Sequence, residues 1–206
     1  MLINLRNALM AGKRLPYDAE VEYLESTGTQ WIDTGKYGTA NTVARISFSA
    51  SAYTNAVFFG VFYANRVLFN FFIRGANWSY LQLKNSSIQT TSYGALNTRY
   101  DLELGNNYIK DIFSGTVWVS GDTQAAYTTD RTLKWFYYDR GASVTGKGKI
   151  YRSQIYESGV LVQDLIPVRK GTVGYLYDRV SGKLFGNAGT GAFGYGNDLK
   201  YPIPSE

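Results

Sequence analysis

From Val21 onwards, apolar and polar residues follow the two-residue period of β-strands. The two most apolar segments, residues 57–63 and 67–73, are separated by a three-residue turn and predict a hairpin of central sandwich strands. Further strands are predicted over residues 78–83, 100–104, 116–119, 133–138, 149–156 and 160–166. Short strands at near-regular spacing, separated by turn residues, predict an all-β fold, a two-sheet antiparallel β-sandwich of the jelly-roll type.

The first 15 residues differ from the rest of the chain. Leu2, Leu5 and Leu9 recur at helical spacing, and Pro16 ends the pattern, which predicts a short N-terminal helix. A helix this short is marginal alone, so we expect it to dock through these leucines on its own domain or on a partner. The predicted organisation is a leader over residues 1–15 and one sandwich domain over residues 16–206.

Composition narrows the possible chemistry. The 206 residues contain no Cys and no His, which excludes disulfides, thiolate sites and catalysis that depends on an imidazole. The formal net charge is only +5, which neither requires nor excludes nucleic acid. No stretch approaches the roughly 20 apolar residues of a membrane span, so no membrane insertion is expected.

Carboxylates are the main candidate for catalysis. Glu20, Glu22 and Glu25 have nearly the spacing of the E-x-D-x-x-E signature of sandwich-fold β-glucanases, in which alternate strand residues act as nucleophile and acid. The middle residue is Glu rather than Asp, and the segment opens the domain, where a charged edge strand is expected. We therefore predict that the chain is not an enzyme. No loop carries a dense acidic ligand set, so no metal and no cofactor are predicted.

Aromatic residues make up 16% of the chain and are the remaining functional signal. Trp78 and Tyr80 alternate on one predicted face, as do Trp135 and Tyr137. Sugars stack on aromatic rings while polar neighbours bond their hydroxyls, so these four residues are the predicted ligand-binding set. The competing interpretation is that each of them belongs to the core. Single-stranded nucleic acid is a weaker alternative, since acidic residues interrupt the basic ones.

Two segments resemble a known family. Residues 21–35 read VEYLESTGTQWIDTG, and residues 149–169 read KIYRSQIYESGVLVQDLIPVR. They look like the opening and closing signatures of laminin-G-like, concanavalin-A-like modules of gut bacterial surface proteins and phage tail proteins. The tail, with GYLYD at residues 174–178 and GKLFGNAGTGAF at residues 182–193, continues the resemblance. Together these segments bracket residues 21–196.

Residues 3–14, INLRNALMAGKR, resemble a short leader that precedes various lectin-like modules in phage tail proteins. The resemblance implies a non-catalytic receptor-binding or adhesion module of a phage tail, or otherwise of the bacterial cell surface. It would bind a cell-surface glycan or host receptor, dock on other virion proteins through the leader, and form a homo-oligomer such as a trimer. Two alternatives are a structural tail or decoration protein that binds only virion proteins, and a glycoside hydrolase of the same fold.

Overall fold

The computed structural model describes residues 15–53, 56–61, 68–73, 78–84, 86–91, 94–138 and 144–205. All of its regular elements are strands: β1 (Ala19–Glu20), β2 (Leu24–Ser26), β3 (Ile32–Thr39), β4 (Thr42–Ala50), β5 (Ala56–Val61), β6 (Leu68–Ile73), β7 (Trp78–Lys84), β8 (Ser86–Thr91), β9 (Tyr100–Leu104), β10 (Tyr108–Asp111), β11 (Val117–Ser120), β12 (Thr128–Trp135), β13 (Tyr137–Tyr138), β14 (Val144–Thr145), β15 (Gly148–Glu157), β16 (Val160–Lys170), β17 (Val173–Asp178), β18 (Leu184–Phe185) and β19 (Gly194–Tyr195).

The strands form two main antiparallel sheets. In the larger, eleven-stranded sheet the order is β11-β10-β9-β4-β15-β16-β17-β18, with β2 added beside β15, β19 beside β2 and β1 beside β16. The six-stranded sheet has the order β3-β12-β5-β6-β7-β8, and β13 and β14 form a small separate pair. The prediction of an all-β chain with two antiparallel sheets is confirmed. The predicted central hairpin is confirmed as well, because β5 pairs with β6.

Aromatic residues from both sheets build the core. The ring of Phe48 on β4 lies 5.5 Å from that of Phe58 on β5 and 5.3 Å from that of Phe71 on β6. All three side chains are buried, and aliphatic residues of both sheets join them in one cluster. The sheets therefore pack face to face, and burial of this apolar area is the main stabilising contribution.

The glycine-rich stretch at residues 189–194 bends and leads into β19, which begins at Gly194. The side-chain oxygen of Asn187 accepts hydrogen bonds from the backbone N–H groups of Trp31 and Gly189. A Cβ at Gly189 would lie 2.0 Å from the carbonyl oxygen of Thr29, so only glycine fits there. The stretch is a tight structural bend against residues 29–31, as the absence of a following helical pattern predicted.

No helix occurs in the part of the chain that the structure describes. The predicted helical leader and its residues Leu2, Leu5 and Leu9 lie outside the described residues, so that prediction stands as made. Within the described ranges, no helix is long and apolar enough to cross a membrane.

Candidate functional site

Polar side chains of β4, β9 and β15 cover the outer face of the larger sheet. On β4, Ala44, Ile46 and Phe48 enter the core, whereas Arg45 and Ser47 alternate with them and face outward. A register shift in β15 between Ile150 and Arg152 adds one residue opposite β4. Because of this bulge, Tyr151 and Arg152 both lie on the outer side, between the buried Ile150 and Ser153.

Two adjoining cavities lie on this face, and we call them together the outer groove. The first has a volume of about 420 Å³, and the second about 760 Å³. Arg99 and Arg152 line both cavities and mark their junction. The first cavity is also bordered by Arg45, Ser47, Asp101, Ile112, Phe113 and Gln154, and the second by Glu22, Tyr23, Tyr151 and residues of the 199–204 segment.

The guanidinium of Arg99 is held at the junction by Ser47 and Tyr151. Its Nε donates a 2.9 Å hydrogen bond to Ser47 Oγ, and its centre lies 4.6 Å from the ring centroid of Tyr151. The Tyr151 hydroxyl lies 3.3 Å from Ser49 Oγ. Stacking on an aromatic ring pre-orients the planar guanidinium. The Arg99 side chain is nonetheless 54% exposed and is open to a ligand.

Arg45, which lines the first cavity, belongs to a small polar network. Its Nε donates to Glu103 Oε2 at 2.8 Å, and the Tyr108 hydroxyl donates to Glu103 Oε1 at 2.8 Å. Burial alone would raise the pKa of Glu103, but the hydrogen bonds from Arg45 and Tyr108 outweigh it and hold this pKa below its usual value. Burial together with the Glu103 carboxylate raises the pKa of Tyr108 to about 12.

A second network ties the groove floor to its wall. Asp164 is buried and accepts from Arg152 Nε at 3.0 Å and from Arg179 Nε at 2.8 Å. Arg179 in turn donates to the carbonyl oxygens of Ile203 and Pro204. The backbone N–H of Ile203 also donates to Glu20 Oε2 at 2.6 Å. The 199–204 segment is therefore fixed as a wall of the second cavity.

The groove has apolar rims. Phe113, in the β10–β11 turn, is 96% exposed beside the first cavity, and Tyr201 is 74% exposed beside the second. Tyr23 lies edge-on to Tyr151, with ring centroids 5.9 Å apart, and Lys149 Nζ lies 3.9 Å from the Tyr23 centroid. Exposed rings beside fixed polar groups are the combination that binds sugar rings.

The structure corrects the prediction for Trp135. Its side chain is fully buried and packs against Phe59, with ring centroids 5.1 Å apart, so neither face of the indole can meet a ligand. Trp135 and Tyr137 do not share a face, because the intervening Phe136 adopts a φ of 62°. This left-handed residue interrupts the alternation of the strand and turns Phe136 itself into the core.

Tyr137 remains half-buried at the surface, away from the outer groove. Its ring lies 4.4 Å from that of Trp31, and Lys134 Nζ lies 4.9 Å from the Tyr137 centroid. Trp78 lies at the start of β7, with Tyr80 two residues later on the same strand, in the six-stranded sheet. The side chains of Trp78 and Tyr80 lie outside the described residues, so their assignment stays a prediction.

The three glutamates of the candidate catalytic motif take different positions. Both carboxylate oxygens of Glu20 are engaged, by the Tyr17 hydroxyl and by Ile203 N–H. Glu22 lines the second cavity and accepts from the backbone and side chain of Asn197. Glu25 lies on β2 opposite Lys149. Among the described residues, no group of three acidic, His or Cys side chains is placed to hold a metal ion.

Sequence reasoning missed most of the outer groove. Arg45 and Ser47 alternate with Ala44, Ile46 and Phe48, and this pattern could have identified an outward polar face. The convergence of Arg99 with Tyr151 could not have been found, because it depends on β9 and β15 both pairing with β4. The bulge that exposes Tyr151 leaves no signature in a single sequence.

Comparison with known proteins gives a structure of similar fold and no match to a family model or a curated protein. The structure is similar to the crystal structure of a candidate carbohydrate-binding protein from Bacteroides ovatus, with a TM-score of 0.53 and 11% sequence identity. The match covers 90% of this chain and 62% of the other, so this chain spans less than two thirds of that protein. The two proteins share a fold.

Proposed function

We propose that this chain is a non-catalytic glycan-binding module whose binding site is the outer groove. The observation that carries the proposal is the groove itself, where pre-oriented guanidinium donors lie beside exposed aromatic rings. Rings offer stacking surface to the C–H faces of sugars, and the donors meet hydroxyl oxygens. The fold likeness to a candidate carbohydrate-binding protein supports the same function.

The resemblance to laminin-G-like and concanavalin-A-like modules supports a finer version of the proposal. In that version the sandwich is a concanavalin-A-like jelly roll with a helical leader, and it serves as a receptor-binding protein of a phage tail. Trp78, Tyr80 and Tyr137 would then contribute a second stacking surface. Single sugar sites of this kind bind with about millimolar to micromolar dissociation constants, so several copies in an oligomer would supply useful strength.

A glycan array probed with the full chain tests the proposal. We expect selective binding that Tyr201→Ala weakens by about five- to tenfold, because one stacking ring at the groove rim is lost. Tyr37→Ala is the matched control, since Tyr37 is 54% exposed and lies on β3 of the other sheet. If both variants change glycan binding equally, the outer groove is not the binding site.

A glycoside hydrolase is a second candidate. The supporting observation is that the Glu22 carboxylate lines one cavity of the groove while that of Asp101 lines the other. Such enzymes need two carboxyl groups about 5–10 Å apart across the scissile bond. Release of reducing sugar that Glu22→Gln abolishes would replace the binding proposal with the enzymatic one.

A structural tail or decoration protein is the remaining alternative. It is supported by the nearly complete exposure of Phe113, an apolar side chain that a protein partner could cover. If the chain binds no glycan on the array and Phe113→Ser abolishes its incorporation into particles, this alternative is favoured. Binding to the array that Phe113→Ser leaves intact would count against it.

A further inference from the structure

We infer that the outer groove recognises a glycan carrying one isolated anionic substituent, a carboxylate in the first instance, and that Arg99 binds it. The inference rests on the proposed function and deepens it. Three arginines line the groove, and two of them make close hydrogen bonds to protein carboxylates through Nε. Arg45 donates to Glu103 at 2.8 Å, and Arg152 makes two hydrogen bonds to Asp164, at 3.0 Å and 3.2 Å.

Arg99 differs from both. Its NH2 atom lies 3.5 Å from Asp101 Oδ1, a distance beyond a good charge-assisted hydrogen bond. Its Nε is used by Ser47 and its ion pair with Asp101 is this long one, so stacking on Tyr151 orients a guanidinium whose side chain remains 54% exposed. A guanidinium fixed in this way can form a bidentate pair of hydrogen bonds with a carboxylate.

The surroundings of Arg99 strengthen an interaction with an anion. Ile112 and Phe113 border the same cavity, so a bound ligand would exclude water beside the guanidinium. A lower local dielectric raises the electrostatic attraction between the guanidinium and an anionic group. A neutral sugar would gain only ordinary hydrogen bonds from the same position.

Two acidic side chains of the groove limit how many anionic groups a bound glycan can carry. Asp101 lines the first cavity and Glu22 the second, with the Arg99 and Arg152 junction shared between them. A polymer with an acidic group on every sugar would bring carboxylates near both acids and be repelled. The arrangement therefore favours a single acidic sugar between neutral ones.

The test is a glycan array in which each acidic oligosaccharide is printed beside its carboxyl-reduced, neutral counterpart, together with densely sulfated polysaccharides. For the full chain we expect a singly acidic oligosaccharide to bind at least about tenfold more tightly than its reduced partner. Densely sulfated chains should bind no better than neutral ones. Arg99→Gln should abolish the difference within the pair, and Arg131→Gln, on β12 of the other sheet, should preserve it.

The outcomes separate the inference from the proposed function. If the chain binds glycans but treats acidic and reduced partners equally, or prefers densely charged chains, the inference fails and glycan binding stands. If no glycan binds, both fail. If Arg99→Gln keeps the preference while circular dichroism shows an intact fold, another residue binds the acidic group and the assignment of Arg99 is wrong.

Discussion

Arg152 and Arg179 donate hydrogen bonds to the same buried carboxylate, that of Asp164. Arg152 lines the outer groove, whereas Arg179 holds the carbonyl oxygens of the 199–204 segment. One acidic residue thus fixes both the floor of the groove and its wall. Removing this carboxylate should affect stability and ligand binding together.

We expect Asp164→Asn to lower the free energy of unfolding by about 3–5 kcal/mol, because two largely buried guanidinium groups lose their anionic partner. Chemical denaturation followed by circular dichroism measures the change. Asp198→Asn is the control: Asp198 bonds Arg169 at the surface, where an ion pair contributes little. Similar losses in the two variants would contradict the structural role given to Asp164.

Glu103→Gln should reduce stability at neutral pH by about 1–3 kcal/mol, because the carboxylate accepts charge-assisted hydrogen bonds. The folded-state pKa of Glu103 lies below its ordinary value of 4.5. Its contribution is therefore complete above pH 4.5 and declines as the pH falls through the lower folded-state value. Melting curves of both proteins from neutral to acidic pH should converge. Asp122→Asn, in an exposed loop, serves as the control for general charge effects.

Trp135→Ala should destabilise the protein by about 3–5 kcal/mol, because it opens a cavity in the core. Tyr137→Ala should cost clearly less, since Tyr137 is only half-buried. Thermal or urea denaturation of the two variants measures the difference. A stable Trp135→Ala protein with weakened glycan binding would overturn the core assignment and restore the ligand-binding prediction for Trp135.

Removal of residues 1–15 should leave the sandwich folded, because its first strand begins at Ala19. Circular dichroism and the melting temperature of a chain starting at Pro16 check this.

The proposed phage-tail role gives the leader its own test. Under that proposal, Leu5→Asp combined with Leu9→Asp in the full chain should abolish incorporation into phage particles and leave the sandwich intact. Asn4→Asp combined with Asn7→Asp, which adds the same two negative charges at polar positions of the leader, should be incorporated normally.

The sequence carries enough information to predict the class of fold but only part of the candidate site. The β5–β6 hairpin was predictable because its two strands lie in the most apolar segments of the chain. Alternation failed at Trp135 and Tyr137 because a single left-handed residue, Phe136, changed which side chains share a face. Backbone irregularities of this kind arise from tertiary packing, and a two-residue period cannot anticipate them.

The pairing of β4 with both β9 and β15 has a consequence for the order of folding events. Arg99 and Ser47 are 52 residues apart in the chain, and Tyr151 and Ser49 are 102 apart. Contacts of such long range form slowly, because the entropy of closing large loops opposes them before any burial compensates. The outer groove should therefore assemble late, and a nascent or partly folded chain should be unable to capture a glycan before the sheet is complete.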